Sequence, residues 1–175
     1  YDAVIQAGYG EHGREGLQEL LEVPVVDITE AAASLAMLLG HTYSVVTTLD
    51  RAVPLIEDRL KLAGVFERCA SVRASGMSVL ELEEKPDRAL EAIAEQAVEA
   101  VTQDKAEVIC LGCGGMAGLD QMIRERAGVP VVDGVTAAVA LAESLVRLGL
   151  KTSKVRTYAT PRPKKVVGWP FRLQD

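Results

Sequence analysis

The stretch VPVVDITEAAA, residues 23–33, returns as VPVVDGVTAAV at residues 129–139. Five identical residues open the two copies. Each copy follows a helix-like segment, and each of those follows a strand-like run ending in glycines. A short Val-rich run is the pattern of a strand buried on both faces of a parallel sheet. Strand, glycine turn, helix and strand together make a βαβ unit, and its recurrence implies an internal repeat. Two equivalent units predict two lobes related by a pseudo-twofold axis, with their strand-end turns facing across a cleft. The other reading is two units of one sheet that converged on the same buried-strand pattern. Aligning the copies backwards with one gap sets AGYG at 7–10 against GCGG at 112–115, so that Gly8 falls opposite Cys113.

Strand patterns fall at residues 4–7, 23–26, 43–48, 69–74, 108–112 and 129–132. Helical spacing falls at 14–21, 29–39, 52–63, 87–103, 118–127 and 136–148. Thr29 reads as an N-cap and Gly40 as the residue closing that helix. Residues 79–82 read as a short strand or a turn, and everything from Lys151 on as an extended tail. Alternation of this kind predicts an α/β fold of parallel-rich sheets flanked by helices, with ligands beyond the C-terminal strand ends. Residues 1–40 and 135–175 are assigned to the first lobe and 41–134 to the second. The chain opens on YDAVIQAG, already a strand pattern and without an initiator Met. The expectation is that an N-terminal region is missing and the first lobe is incomplete.

The 175 residues carry a formal charge of −6 and are 49% apolar, enough for one compact α/β domain or two small lobes. Mild acidity with scattered basic residues argues against a nucleic-acid surface. The basic cluster Arg162, Lys164 and Lys165 reads as a solvated tail. No apolar run approaches the ~20 residues of a membrane span. No charged leader with an apolar core is present. Three cysteines without framework spacing point to a reducing cytoplasm.

ICLGCGGMAG, residues 109–118, puts one of those thiols on a turn with almost no side chains around it. A thiol at a strand end before a helix meets free N–H groups, which lower its pKa and hold anions. Gly114 and Gly115 let the backbone approach a ligand closely. The pattern suits a base that removes a proton from carbon next to a carbonyl while backbone amides hold the developing oxyanion. A buried, inert cysteine remains the bland alternative. Cys110 and Cys113 form a C-x-x-C, but a metal would need further ligands, and only Cys69, His12 and His41 are left to offer. The glycine spacing is not the dinucleotide fingerprint either.

LGCGGMAGL followed by VPVVDGVTAAVALAESLVRLGLKTSK resembles the hydantoin and allantoin racemases of the aspartate/glutamate racemase superfamily. So do EAAASLAMLLGHTYSVVTTL, RCASVR and the TSK…P-x-P-K ending. The resemblance implies two α/β lobes, no cofactor, and one cysteine on each lobe. One cysteine takes the α-proton and the other returns a proton to the opposite face. The implied substrate is a 5-substituted hydantoin or allantoin, a small cyclic ureide, in a cytoplasmic homo-oligomer with neither nucleic-acid nor membrane partners. Cys113 matches the second-lobe cysteine, Gly114 and Gly115 the amides facing the ligand, and Thr47 and Thr48 positions lining the site. Gly8 stands where the family's other cysteine is expected, with Tyr9 and Gly10 beside it contributing amides. The family's N-terminal Asn-Pro-Asn stretch has no counterpart here.

Gly8 leaves three readings open. The site is altered or engineered; another base, such as His12, replaces the thiol; or the protein is a one-thiol relative like the arylmalonate decarboxylases. His12 by itself reads as a solvent-facing or helix-start residue. Glu30 reads as a first-turn acid or a group that orients a ligand N–H. A non-catalytic ligand-binding subunit is the remaining alternative.

Overall fold

The computed structural model describes residues 1–10 and 12–163; Lys164 and Lys165 of the basic cluster lie outside them. In chain order the elements are β1 (Val4–Gln6), α1 (Arg14–Leu20), β2 (Val25–Asp27), α2 (Ile28–Leu39), β3 (Tyr43–Thr47), α3 (Val53–Leu62), β4 (Cys69–Ala74), α4 (Val79–Glu84), α5 (Pro86–Thr102), β5 (Val108–Leu111), α6 (Asp120–Ala127), β6 (Val131–Asp133) and α7 (Gly134–Arg147). They form a two-stranded sheet β1-β2 and a four-stranded sheet β4-β3-β5-β6. Every strand pair is parallel, so the fold is α/β with helices carrying each crossover.

The repeat is visible in the pairing register. Val4, Ile5 and Gln6 pair with Val25, Val26 and Asp27, while Ile109, Cys110 and Leu111 pair with Val131, Val132 and Asp133. The alignment that sets Gly8 against Cys113 maps each of these pairs onto its counterpart. The aspartate of each VPVVD does the same work. Asp27 Oδ1 accepts from the N–H of Glu30 at 2.8 Å, and Asp133 Oδ1 from that of Val135 at 2.9 Å. Both are N-caps that end a strand and start a helix within one residue.

The two helices started this way cross between the sheets. α2 packs on α7, β5 and β6, and α7 packs on β1 and β2. They meet at their first residues. A Cβ on Gly134 would lie 2.9 Å from the carbonyl oxygen of Ile28 and 3.3 Å from Cε2 of Tyr9, so only glycine allows this approach. Along β3 and β5, side chains alternate between two cores. Val45 and Cys110 face α2, α3 and α7, whereas Val46, Ile109 and Leu111 face α5 and α6.

Arg59 of α3 ties these layers together. Its side chain is 1% exposed, and its Nη2 lies 2.8 Å from Asp27 Oδ2 while Nη1 lies 2.7 Å from Glu15 Oε1. Glu30 joins the cluster through Arg14 at 2.7 Å, so its carboxylate is paired with arginine where it lines a cavity beside α1 and α2. At the other end of the chain, Thr152 N–H and Oγ1 donate to the carbonyls of Glu22 and Val23 at 2.9 and 2.8 Å. Lys154 Nζ donates to the carbonyls of Gln18 and Glu19, a cation placed on the last turn of α1. The TSK segment is therefore a strap across the end of α1 and the loop leading to β2, and a 3-10 turn follows at Arg156–Tyr158.

Four local expectations are corrected. Residues 79–82 are helical, because Ser78 and Glu81 form a reciprocal capping box at the start of α4. Asp27, not Thr29, caps α2. The segment after Cys113 is a single 3-10 turn, Gly114–Met116, and α6 begins only at Asp120. The segment from Lys151 is fastened to the first βαβ unit by the strap.

Candidate active site

The site is built on the C-terminal end of β5. Gly112 N–H donates to the carbonyl of Val46 at 2.7 Å. A Cβ on Gly112 would lie 2.6 Å from Val45 Cγ1 and 2.9 Å from the carbonyl oxygen of Val46, so glycine lets β5 press against β3 here. The Thr47 hydroxyl donates to the carbonyl of Gly112 at 3.0 Å from a position 2% exposed. Thr47 therefore holds the strand end. Thr48 is also buried, and its carbonyl accepts from Gly76 N–H at 2.8 Å.

Cys113 follows in an extended conformation, φ −157° and ψ 138°, with its side chain half-buried. Met116 N–H donates to the Cys113 carbonyl at 3.0 Å, and the fully buried Met116 side chain anchors the turn in the core. Among the described residues the N–H groups of Gly114 and Gly115 donate to no acceptor. These two donors come from the 3-10 turn itself rather than from a helix N-terminus. Such unpaired amides beside a thiol are the groups an oxyanion would use. Leu82 of α4 covers the turn, its Cδ1 lying 3.3 Å from a Cβ built on Gly115.

The equivalent turn of the first unit lies directly opposite. A Cβ on Gly114 would sit 3.2 Å from the carbonyl oxygen of Ala7, so the missing side chain is where the two strand ends meet. Of the residues expected there, Tyr9 sends its ring into the core, 9% exposed, and can offer only backbone. Gly10 adopts φ 114°, and its N–H is already given to Thr29 Oγ1 at 3.2 Å. Gly8 has no such positive φ. A Cβ on Gly8 would meet His12 Cδ2 at 2.4 Å and Gln6 Nε2 at 2.7 Å. The loop thus folds His12 and Gln6 onto the position equivalent to Cys113. Sequence reasoning singled out neither Gln6 nor Leu82. A lone polar residue in the apolar run VIQA was the available signal for the first, and the Ser78-x-x-Glu81 cap for the second.

The three thiols differ in environment. Cys110 is fully buried, and desolvation pushes its pKa well up. Burial pushes Cys69 up to about 12. Both stay protonated near neutrality; Cys113, partly exposed, stands at the C-terminal end of β5. Among the described residues no group of three or more His, Cys, Asp or Glu is placed to hold a metal ion. No helix among them is long and apolar enough to cross a membrane. A cavity of about 500 Å3 lies elsewhere, between α1, α2 and α7 over Arg14, Asp27 and Glu30, and of the candidate residues only Glu30 lines it.

Comparison with known proteins agrees with this architecture. The Asp/Glu/Hydantoin racemase family profile matches residues 1–142. A hydantoin racemase of Rhizobium meliloti is 44% identical over 167 residues, covering 95% of this chain and 69% of that protein. The crystal structure of allantoin racemase from Pseudomonas fluorescens superposes with a TM-score of 0.94 at 82% identity, over 96% of this chain and 72% of that one. Allantoin racemase from Klebsiella pneumoniae gives 0.90 at 39% identity, over 95% and 68%. On the strength of the paired βαβ units, the cysteine turn and these similarities, the chain belongs to the Asp/Glu/hydantoin racemase family.

Proposed function

We propose that the protein interconverts the enantiomers of a cyclic ureide, allantoin foremost and 5-substituted hydantoins as the related class, by proton transfer at the ring carbon next to a carbonyl. The reading joins two lobes, residues 1–40 with 135–175 and residues 41–134, over one small substrate. Cys113 as thiolate removes the proton from one face, and as thiol it returns one to that face. The free amides of Gly114 and Gly115 accept the charge that develops on the carbonyl oxygen. Backbone of Gly8 and Tyr9 closes the opposite side. The observation that carries the proposal is the half-exposed Cys113 beside two unpaired amides, against the equivalent turn of the other unit. The 82% identity to an allantoin racemase favours allantoin within the class.

The test follows loss of optical rotation from each allantoin enantiomer, with Cys113→Ser beside the wild type. Wild-type racemisation and a fall of about 100-fold or more in kcat for the variant are expected. Serine is nearly the size of cysteine but far less acidic, so the fold should survive. A Cys113→Ser protein that racemises at the wild-type rate removes the thiol from the mechanism. Turnover of an arylmalonate with no racemisation of either ureide would replace the proposal with the one-thiol decarboxylase reading.

A further inference from the structure

Residue 8 raises a question that the family assignment leaves open: what moves a proton on the face that Cys113 cannot reach? The space in front of residue 8 is not empty. His12 fills it, with Cδ2 at 2.4 Å and Nε2 at 3.0 Å from where a Cβ on Gly8 would be. Gly8 has an ordinary backbone conformation, so sterics of the main chain do not demand glycine there. What excludes a side chain at residue 8 is the imidazole, with the Gln6 carboxamide beside it.

The loop that does this is specified locally. Gly10 and Gly13 take φ 114° and 83°, values that other residues rarely adopt. His12, between them, brings Nε2 to 3.0 Å from the carbonyl of Tyr9. In that contact Nε2–H is the donor, which fixes a proton on the edge of the ring nearest residue 8. Gln6 supplies an independent sign of a ligand. Its Oε1 is buried and has no hydrogen-bond partner among the described residues, an acceptor awaiting an N–H. A ureide ring carries N–H groups flanking its carbonyls.

We propose that His12 is the second acid/base of the site, acting on the face of the substrate carbon opposite Cys113, and that residue 8 is glycine to make room for its imidazole. The inference rests on the racemase reading above. In one direction the Cys113 thiolate takes the proton: the C–H bond breaks, S–H forms, and the electron pair passes into the ring enolate. The imidazolium, turned from the Tyr9 carbonyl, then gives its Nε2 proton to the opposite face: the N–H bond breaks, a new C–H bond forms, and neutral imidazole protonated at Nδ1 remains. The reverse direction exchanges the two roles. Exchange of both groups with solvent resets the site. Gln6 Oε1 accepts a ring N–H and orients the carbon between the two bases.

The experiment uses the full-length protein and each allantoin enantiomer in D2O. It measures inversion by polarimetry and α-proton exchange by NMR for wild type, H12Q and the double variant G8C/H12Q. For H12Q, kcat for inversion should fall about 100-fold or more with KM little changed. The enantiomer whose proton faces Cys113 should still exchange its proton for deuterium with retention, and the other enantiomer should not. Added imidazole should restore part of the inversion. In G8C/H12Q a thiol enters the vacated space, and inversion should return. H12Q inverting at the wild-type rate overturns the role of His12, as does an equal fall of exchange in both enantiomers, which would mark a structural role. Wild-type protein that exchanges neither enantiomer overturns the racemase reading itself, and this inference with it.

Discussion

Gly134→Ala is the sharpest test of how the two units meet. Residue 134 opens α7, where alanine would ordinarily be favoured over glycine by up to about 1 kcal/mol. Here the added methyl lands 2.9 Å from the carbonyl oxygen of Ile28, 3.2 Å from its Cβ and 3.3 Å from the Tyr9 ring. The first neighbour is backbone at the start of α2, so relief requires α2 and α7 to part. Overpacking of this kind costs about 1–3 kcal/mol. Set against the helix gain, a mid-range cost of about 2 kcal/mol leaves a net loss of about 1–2 kcal/mol, which lowers the melting temperature by roughly 2–8 °C at this chain length. Gly16→Ala in α1 is the matched control, because its Cβ meets nothing within 4 Å. It should stabilise by about 0.5–1 kcal/mol. Far-UV circular dichroism melts of the three proteins at one concentration decide the matter. A Gly134→Ala protein melting at or above wild type, with Gly16→Ala shifted upward, would refute the contact between the helix starts.

Two more outcomes follow from contacts near and far from the site. Thr47→Val keeps the shape but leaves the Gly112 carbonyl without its 3.0 Å donor. It should cost about 1–3 kcal/mol in a melt and lower kcat more than it changes KM, since the strand end carrying Cys113 loosens. Asp104 accepts from Arg73 Nη2 at 3.0 Å, and this pairing holds its carboxyl below the ordinary 3.8. The stability it contributes is complete above that value and fades as pH falls through the lowered folded-state pKa. The melting-temperature advantage of wild type over Asp104→Asn should therefore shrink between about pH 5 and pH 2; an advantage that grows on acidification would reverse the assignment.

Much of the fold could be read from VPVVD because strand burial and helix capping are local chemistry. The pairing of Gln6 with Asp27 and of Leu111 with Asp133 follows the repeat residue by residue. Misreadings arose where a residue had two local uses and a distant partner chose between them. Thr29 has the chemistry of an N-cap, yet Asp27 two residues earlier takes that role and leaves the threonine hydroxyl for Gly10. Thr47 reads equally well as a pocket residue or a strand residue; its bond to the carbonyl of Gly112, far along the chain, was not readable from spacing. Val79 and Leu80 suggested a strand until the Ser78–Glu81 box is counted. At the candidate site the glycines were conspicuous, but what fills the space they leave was not. Which side chain enters the notch at residue 8 depends on a loop closed by two positive-φ glycines, a geometry that spacing alone does not encode.

The strap formed by Thr152 and Lys154 bears on how the protein is made. β1 and β2 leave the ribosome before β3 to β6, yet the helix that covers them and the residues that fasten the loop between α1 and β2 come after all six strands. Strands β3 to β6, by contrast, lie within one uninterrupted stretch. A nascent chain can therefore finish its four-stranded sheet while β1 and β2 still wait, uncovered, for α7 and the strap to arrive. Truncation just before residue 152 would leave that wait without an end.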